Sequence, residues 1–144
     1  MESFRRVQHR TAGVPAVGTF QEALDKHLGA IHQRDLPCFA ETIATDGIVL
    51  ITSEGRLIRD REAMLAMHRD WFASSAWQMG VEPVRQWVGS DLGVAVVKLD
   101  YREEAAGKPP IRAESYLTLV FQRQGDRWMM VQDQNTPCRG AASA

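Results

Sequence analysis

The sequence predicts a single α+β domain in which helices come first and long antiparallel strands follow. Three observations carry this. The chain has 144 residues, a length that closes around one core. Apolar residues recur at helical spacing in segments between residues 19 and 73, and the period changes to two after Ser74-Ser75. The links between the period-two segments are short and carry Gly, which suits antiparallel neighbours.

The elements follow in order. Residues 1–18 mix Arg, Gln, Gly and Pro without periodicity and read as an arm outside the core. Thr19 stands three residues before Glu22, a capping-box spacing that starts a helix. Leu24, His27, Leu28 and Ile31 line one face of that helix, which runs to about Arg34. Asp35 caps a second, short helix through Phe39 and Ile43, with Pro37 tolerated in its first turn. The β-branched run Gly47 to Thr52 and the segment Arg56 to Ile58 flank turn residues and predict a hairpin. Asp60 caps a third helix whose stripe is Met64, Met67, His68, Trp71 and Phe72. Four strands are then predicted over 77–88, 92–103, 111–123 and 127–135, and residues 139–144 form a tail. In the strand from Ile111, alternation places Ala113, Ser115, Leu117, Leu119 and Phe121 inward. The opposite set includes Tyr116 and Val120, so the outer face is expected to be partly covered by a second subunit.

Composition excludes several function classes. Seventeen Lys and Arg against 18 Asp and Glu leave a net charge of −1, without the basic footprint of a nucleic-acid binder. The longest apolar runs are far short of the roughly 18 residues that span a bilayer, and no apolar segment follows Arg5, Arg6 and Arg10 as a secretory signal requires. A cytoplasmic protein without membrane or nucleic-acid partners is expected. Cys38 and Cys138 are expected as free thiols. The histidines His9, His27, His32 and His68 lack the spacing of a zinc site, so no metal is expected. A nucleophile elbow is missing, which weighs against nucleophilic catalysis, and glycine loops for phosphate are missing, so no nucleotide cofactor is expected either.

The order of elements, together with the ending Gly125-Asp126-Arg127-Trp128 through Gln132-Asp133-Gln134-Asn135-Thr136-Pro137, resembles the nuclear transport factor two, ketosteroid isomerase and SnoaL-like superfamily. The SnoaL-like branch is the nearest in pattern, over about residues 19–137, with a folded domain placed at 19–138. The resemblance implies a cone: a curved antiparallel sheet wrapped around the N-terminal helices, a pocket inside, and a homodimer. Ketosteroid isomerases use a Tyr and two Asp residues; the matching positions here are His27, Ile51 and Leu117. An Ile and a Leu neither move a proton nor donate a hydrogen bond, so that mechanism lacks its groups.

The inward register points to other chemistry. On the last strand Met129, Val131, Asp133 and Asn135 are expected inward, and on the second long strand Ala95, Val97, Leu99 and Tyr101. A carboxylate facing an apolar cavity must be protonated, paired or wet. His27 and His68 are its candidate partners, and an Asp–His pair can act as general acid and base in an isomerase, cyclase or hydratase. Met67, Trp71, Tyr101, Ser115 and Asn135 are the expected ligand-contacting residues, around a small, mostly apolar organic molecule. Each has a structural alternative: Asp133 at a solvated rim, His27 and His68 as core histidines, Trp71 and Met67 as core, Tyr101 as a filler. The whole-protein alternative is a non-catalytic binding or assembly module.

Overall fold

The first helix packs across a mixed six-stranded sheet of order β2-β1-β6-β5-β4-β3 in this computed structural model, which describes residues 18–139. The elements are α1 (Phe20–Gln33), α2 (Leu36–Glu41), β1 (Val49–Ile51), β2 (Leu57–Ile58), α3 (Arg61–Ala73), β3 (Trp77–Val88), β4 (Leu92–Glu103), β5 (Ile111–Gln124) and β6 (Arg127–Pro137). The arm expected over residues 1–18 and the tail from 139 lie almost wholly outside the described residues.

Local chemistry sets the helix ends. Thr19 accepts from the Glu22 N–H at 3.1 Å, Asp35 from Cys38 at 3.1 Å and Asp60 from Glu62 at 3.1 Å, so each helix starts on a side-chain oxygen that satisfies an orphan donor. Arg34 ends α1 in the left-handed region at φ 56°, which lets the Asp35 N–H reach the Ala30 carbonyl at 2.9 Å.

The sheet corrects the sequence reading in two places. The four long strands pair antiparallel, but β1 runs parallel to β6, with Leu50 opposite Asp133. The cause lies upstream: the stretch after α2 already travels along β6, where the Met130 N–H donates to Thr42 and its carbonyl accepts from Ala44. The second correction is a β-bulge. Val120 pairs with Gln132 and Phe121 with Met130, so Val131 is the extra residue and the alternation of β6 slips by one there. Trp128 and Met130 therefore point inward before the bulge, in place of the expected Met129 and Val131, while Asp133 and Asn135 keep the inward face after it.

The core sits between α1, α2 and the inner face of β4 to β6: Phe20, Leu24, Phe39, Ala95, Val97, Leu119, Phe121 and Met130 are all buried. Phe20 lies edge-on to Phe121 and Trp128 at 5.7 and 5.8 Å. Its ring occupies the space above Gly93, where a β-carbon would stand 2.6 Å from Phe20 Cε2. Towards the other end of the cone the sheet and α3 separate and leave a cavity.

Candidate functional site

The cavity measures about 620 Å³ and opens between the β1–β2 turn and the ends of β4 and β5. Its wall is apolar: Ile31 from α1, Leu50 from β1, Met67 and Trp71 from α3, Met79 from β3, and Leu99 and Leu117 from β4 and β5. His68, Ser115, Asp133 and Asn135 supply the inner polar groups, and Thr52, Glu54, Arg56 and Glu114 stand at the mouth. Helical spacing places Met67, His68 and Trp71 together on α3, and strand alternation carries Asp133 and Asn135 to one face of β6. Ile51 also lines the cavity, so two positions where the ketosteroid isomerase pattern has carboxylates, Ile51 and Leu117, here offer hydrocarbon.

Asp133 is buried, and burial raises its carboxyl from 3.8 to about 7. Among the described residues no hydrogen bond or ion pair holds its charged form, so both protonation states are accessible near neutral pH. His68 shares the cavity. Its Nδ1–H donates to the Met64 carbonyl at 2.8 Å, which fixes the tautomer and leaves Nε2 as an acceptor. Desolvation lowers the His68 pKa, against the opposing pull of that carbonyl, and the ring stays neutral. Phe39 stacks on it at 4.4 Å.

His27 occupies a different place. It lies one turn before Ile31 on α1, fully buried on the other side of Phe39 at 4.9 Å, and does not line the cavity. Its Nδ1–H donates to Thr42 Oγ1 at 2.7 Å, because the threonine hydroxyl itself donates to the Phe39 carbonyl at 2.6 Å. Among the described residues, Nε2 is then a buried acceptor without a partner. Desolvation, and to a lesser degree repulsion from His68 whenever that ring takes a proton, lowers the His27 pKa to about 3, so this ring does not protonate under ordinary conditions. Neither imidazole makes a direct hydrogen bond or ion pair with Asp133 among the described residues.

The remaining expected residues all reach the cavity: Met67, Trp71, Tyr101, Ser115 and Asn135 line it. Tyr101 donates to Glu103 at 3.3 Å, and burial, helped by the neighbouring Glu103 carboxylate, raises the phenol pKa. Trp71 stacks on Trp77 at 4.3 Å, and Trp77 Nε1 donates to the Trp71 carbonyl at 2.9 Å. Arg34 braces this wall from outside, over the Trp77 ring at 4.0 Å and bonded to the Trp77 and Ser74 carbonyls. Sequence reasoning missed Thr52, Glu54 and Arg56, whose hairpin carries no periodic signal of where it folds. It also missed Met79, which the two-residue period from Trp77 places on the inner face.

A cone of this build with an interior pocket is a ligand-binding or enzyme scaffold. The chain matches the SnoaL-like domain family over residues 21–136 and belongs to that family. Solved structures share the fold. A candidate calcium/calmodulin-dependent protein kinase type II association domain from Thiobacillus denitrificans is 23% identical, with 88% of this chain and 100% of that chain covered at a TM-score of 0.72. A candidate dehydratase of the nuclear transport factor two-like family from Streptomyces avermitilis is 16% identical, covering 86% and 96% at 0.73. A ketosteroid isomerase-like protein from Erwinia carotovora is 14% identical, covering 86% and 97% at 0.69. No curated protein matches the sequence. Among the described residues, no helix is long and apolar enough to cross a membrane.

Proposed function

We propose that this protein binds a small, mostly apolar organic molecule in the cavity and that Asp133 moves a proton on it, as an isomerase, cyclase or hydratase does. The single observation behind this reading is a carboxyl group buried in an otherwise largely apolar wall and poised at about 7. A general acid–base group works best when its pKa lies near the operating pH, since both states are then populated. His68 Nε2 is the second proton acceptor of the site, and Ser115, Asn135 and Tyr101 orient the ligand. His27 acts through packing: it backs Phe39, which carries His68, and does not touch the ligand. No residue of this mechanism calls for a metal or a nucleotide. The site is expected to work in a cytoplasmic homodimer.

A thermal-shift screen of small apolar compounds, with hits repeated on Asp133→Asn, tests this reading. Ligands should raise the melting temperature of both forms, and turnover of any substrate among them should fall by at least about a hundredfold in the variant. Full turnover by the variant would remove Asp133 from the chemistry.

A second reading, an assembly module, draws on exposed Val81, Val84, Trp87 and Val88 along β3 and on the association domains among the structural neighbours. The polar groups inside the cavity favour the first, because a module that only assembles gains nothing from a buried, unpaired acid.

A further inference from the structure

β3 is the last strand in the sheet order, so its backbone is paired on one side only. The Glu104 N–H donates to the Ala76 carbonyl at 3.0 Å, and the register then runs unbroken from Trp77 to Pro83. Antiparallel pairing turns alternate residues towards the neighbour. Gln78, Gly80 and Glu82 therefore give their N–H and C=O groups to β4, while Trp77, Met79, Val81 and Pro83 turn theirs outward. Pro83 fits that parity, because a strand tolerates proline where the missing N–H faces away from the ladder. Both ends of this edge are closed: Arg34 holds the Trp77 carbonyl, and Pro83 with the irregularity before Arg85 interrupts the other end. Between them, among the described residues, the outward N–H and C=O groups of Met79 and Val81 have no partner.

A second cavity, of about 450 Å³, lies against this open stretch and is lined by His32, Arg34, Gln78, Gly80, Asp100 and Arg102. Gly80 has no side chain to cover the sheet there, so its neighbour across the ladder, Asp100, and the Arg102 beside it are open to a group from outside. Two guanidinium groups and an imidazole surround one carboxylate, and that carboxylate is already shared between Arg102 at 3.4 Å and Arg112 at 3.7 Å. Arg34 makes no ion pair among the described residues, and its bonds to the Ser74 and Trp77 carbonyls hold it in place. The balance of charge selects an acidic occupant.

We propose that the edge of β3 at Met79 to Val81 takes an acidic peptide as an added strand, its backbone paired with Met79 and Val81 and its carboxylate laid across Gly80 towards Arg102. Residues opposite each other in a ladder share a face, so the acidic residue stands opposite Gly80. Its two neighbours fall on the other face, beside the half-exposed Val81, and are apolar. This site is independent of the chemistry assigned to Asp133.

The test is a nitrogen-15 NMR titration of the full chain with the peptide acetyl-Thr-Val-Glu-Val-Thr-amide. The Met79 and Val81 amides should shift most. The same peptide with Lys for Glu should bind about tenfold more weakly, and the Glu peptide N-methylated at both valines should not bind, since it cannot pair with the edge. Val81→Pro removes an outward N–H without touching the bonds to β4 and should abolish binding. Equal binding of the N-methylated peptide, shifts of the same residues by free glutamate at the same affinity, or no shift with any peptide overturns the proposal. A dimer that Val81→Pro converts to monomer would give the edge to a second copy of this chain and overturn it as well. The peptide comparison on the unaltered chain decides the matter even where the variant does not fold.

Discussion

Replacing Asp133 by Asn removes one titration from the native state and leaves the shape of the cavity wall nearly unchanged. Burial raises the Asp133 carboxyl from 3.8 to about 7, so the folded protein holds a proton there that the unfolded chain has already released. A raised pKa contributes stability that is fully present below the unfolded value and is lost as pH rises through the folded one. The window therefore runs from about pH 4 to about pH 7. The shift corresponds to about 4 kcal/mol, or roughly 10 °C in melting temperature for a chain of this size. His27, lowered from 6.5 to about 3, acts in the opposite direction, because its stability is present above the unfolded value and lost on acidification. The two slopes offset each other in the wild type. The assay is thus a difference curve: calorimetric melting of Asp133→Asn minus wild type, measured from pH 4 to 8. The variant should gain on the wild type steadily across that range and level off above about pH 7. The amide brings its own constant offset, which shifts the curve without tilting it. A difference that stays flat from pH 4 to 8 would refute the desolvated state of Asp133.

Three further outcomes are expected. Gly93→Ala pushes a methyl group into the Phe20 ring, 2.6 Å from Cε2, and should destabilise by about 1–3 kcal/mol; an unchanged calorimetric melting temperature would show that the ring moves aside freely. His27→Phe keeps the packing against Phe39 and removes the buried base, so its loss of stability between pH 6.5 and 4 should be smaller than in the wild type. An equal acid-side loss in both proteins, read by denaturant unfolding, would place that titration elsewhere. Sedimentation should show a dimer at micromolar concentration, and Tyr116→Glu on the outer face should shift it towards monomer, since a charge buried in an interface is strongly unfavourable. A wild type that sediments as a monomer would end the homodimer reading.

The elements were legible because their signals are local. Capping residues Thr19, Asp35 and Asp60 marked the three helix starts, and the change of period at Ser74-Ser75 marked where strands begin. The inward face of β4 and β5 followed from alternation, with Ala95, Val97 and Leu99 buried opposite Leu119, Leu117 and Ser115. Two features were not legible, and both are non-local. Alternation along β6 cannot reveal the bulge at Val131, which depends on Met130 giving its backbone bonds to Thr42 and Ala44. Parity thus reached Asp133 from a starting residue, Val131, that itself belongs to the irregularity. The parallel pairing of β1 with β6 likewise depends on where the chain goes after α2. For the same reason the hairpin residues at the mouth, Thr52, Glu54 and Arg56, could not be assigned to the site from sequence. His27 and Ile31 share a helical stripe, yet one turn of α1 separates a sealed ring from a cavity wall. Periodicity gives the face of a helix and not the depth at which the cavity ends along it.

Carbon-13 NMR of the side-chain carboxyl groups, with the Asp133 resonance assigned by its loss in Asp133→Asn, measures the state of the acid on which the proposed chemistry depends. A titration midpoint near 7 is expected for the free protein. A midpoint at the ordinary 3.8 would mean that the carboxyl is well solvated and that the cavity holds no poised acid.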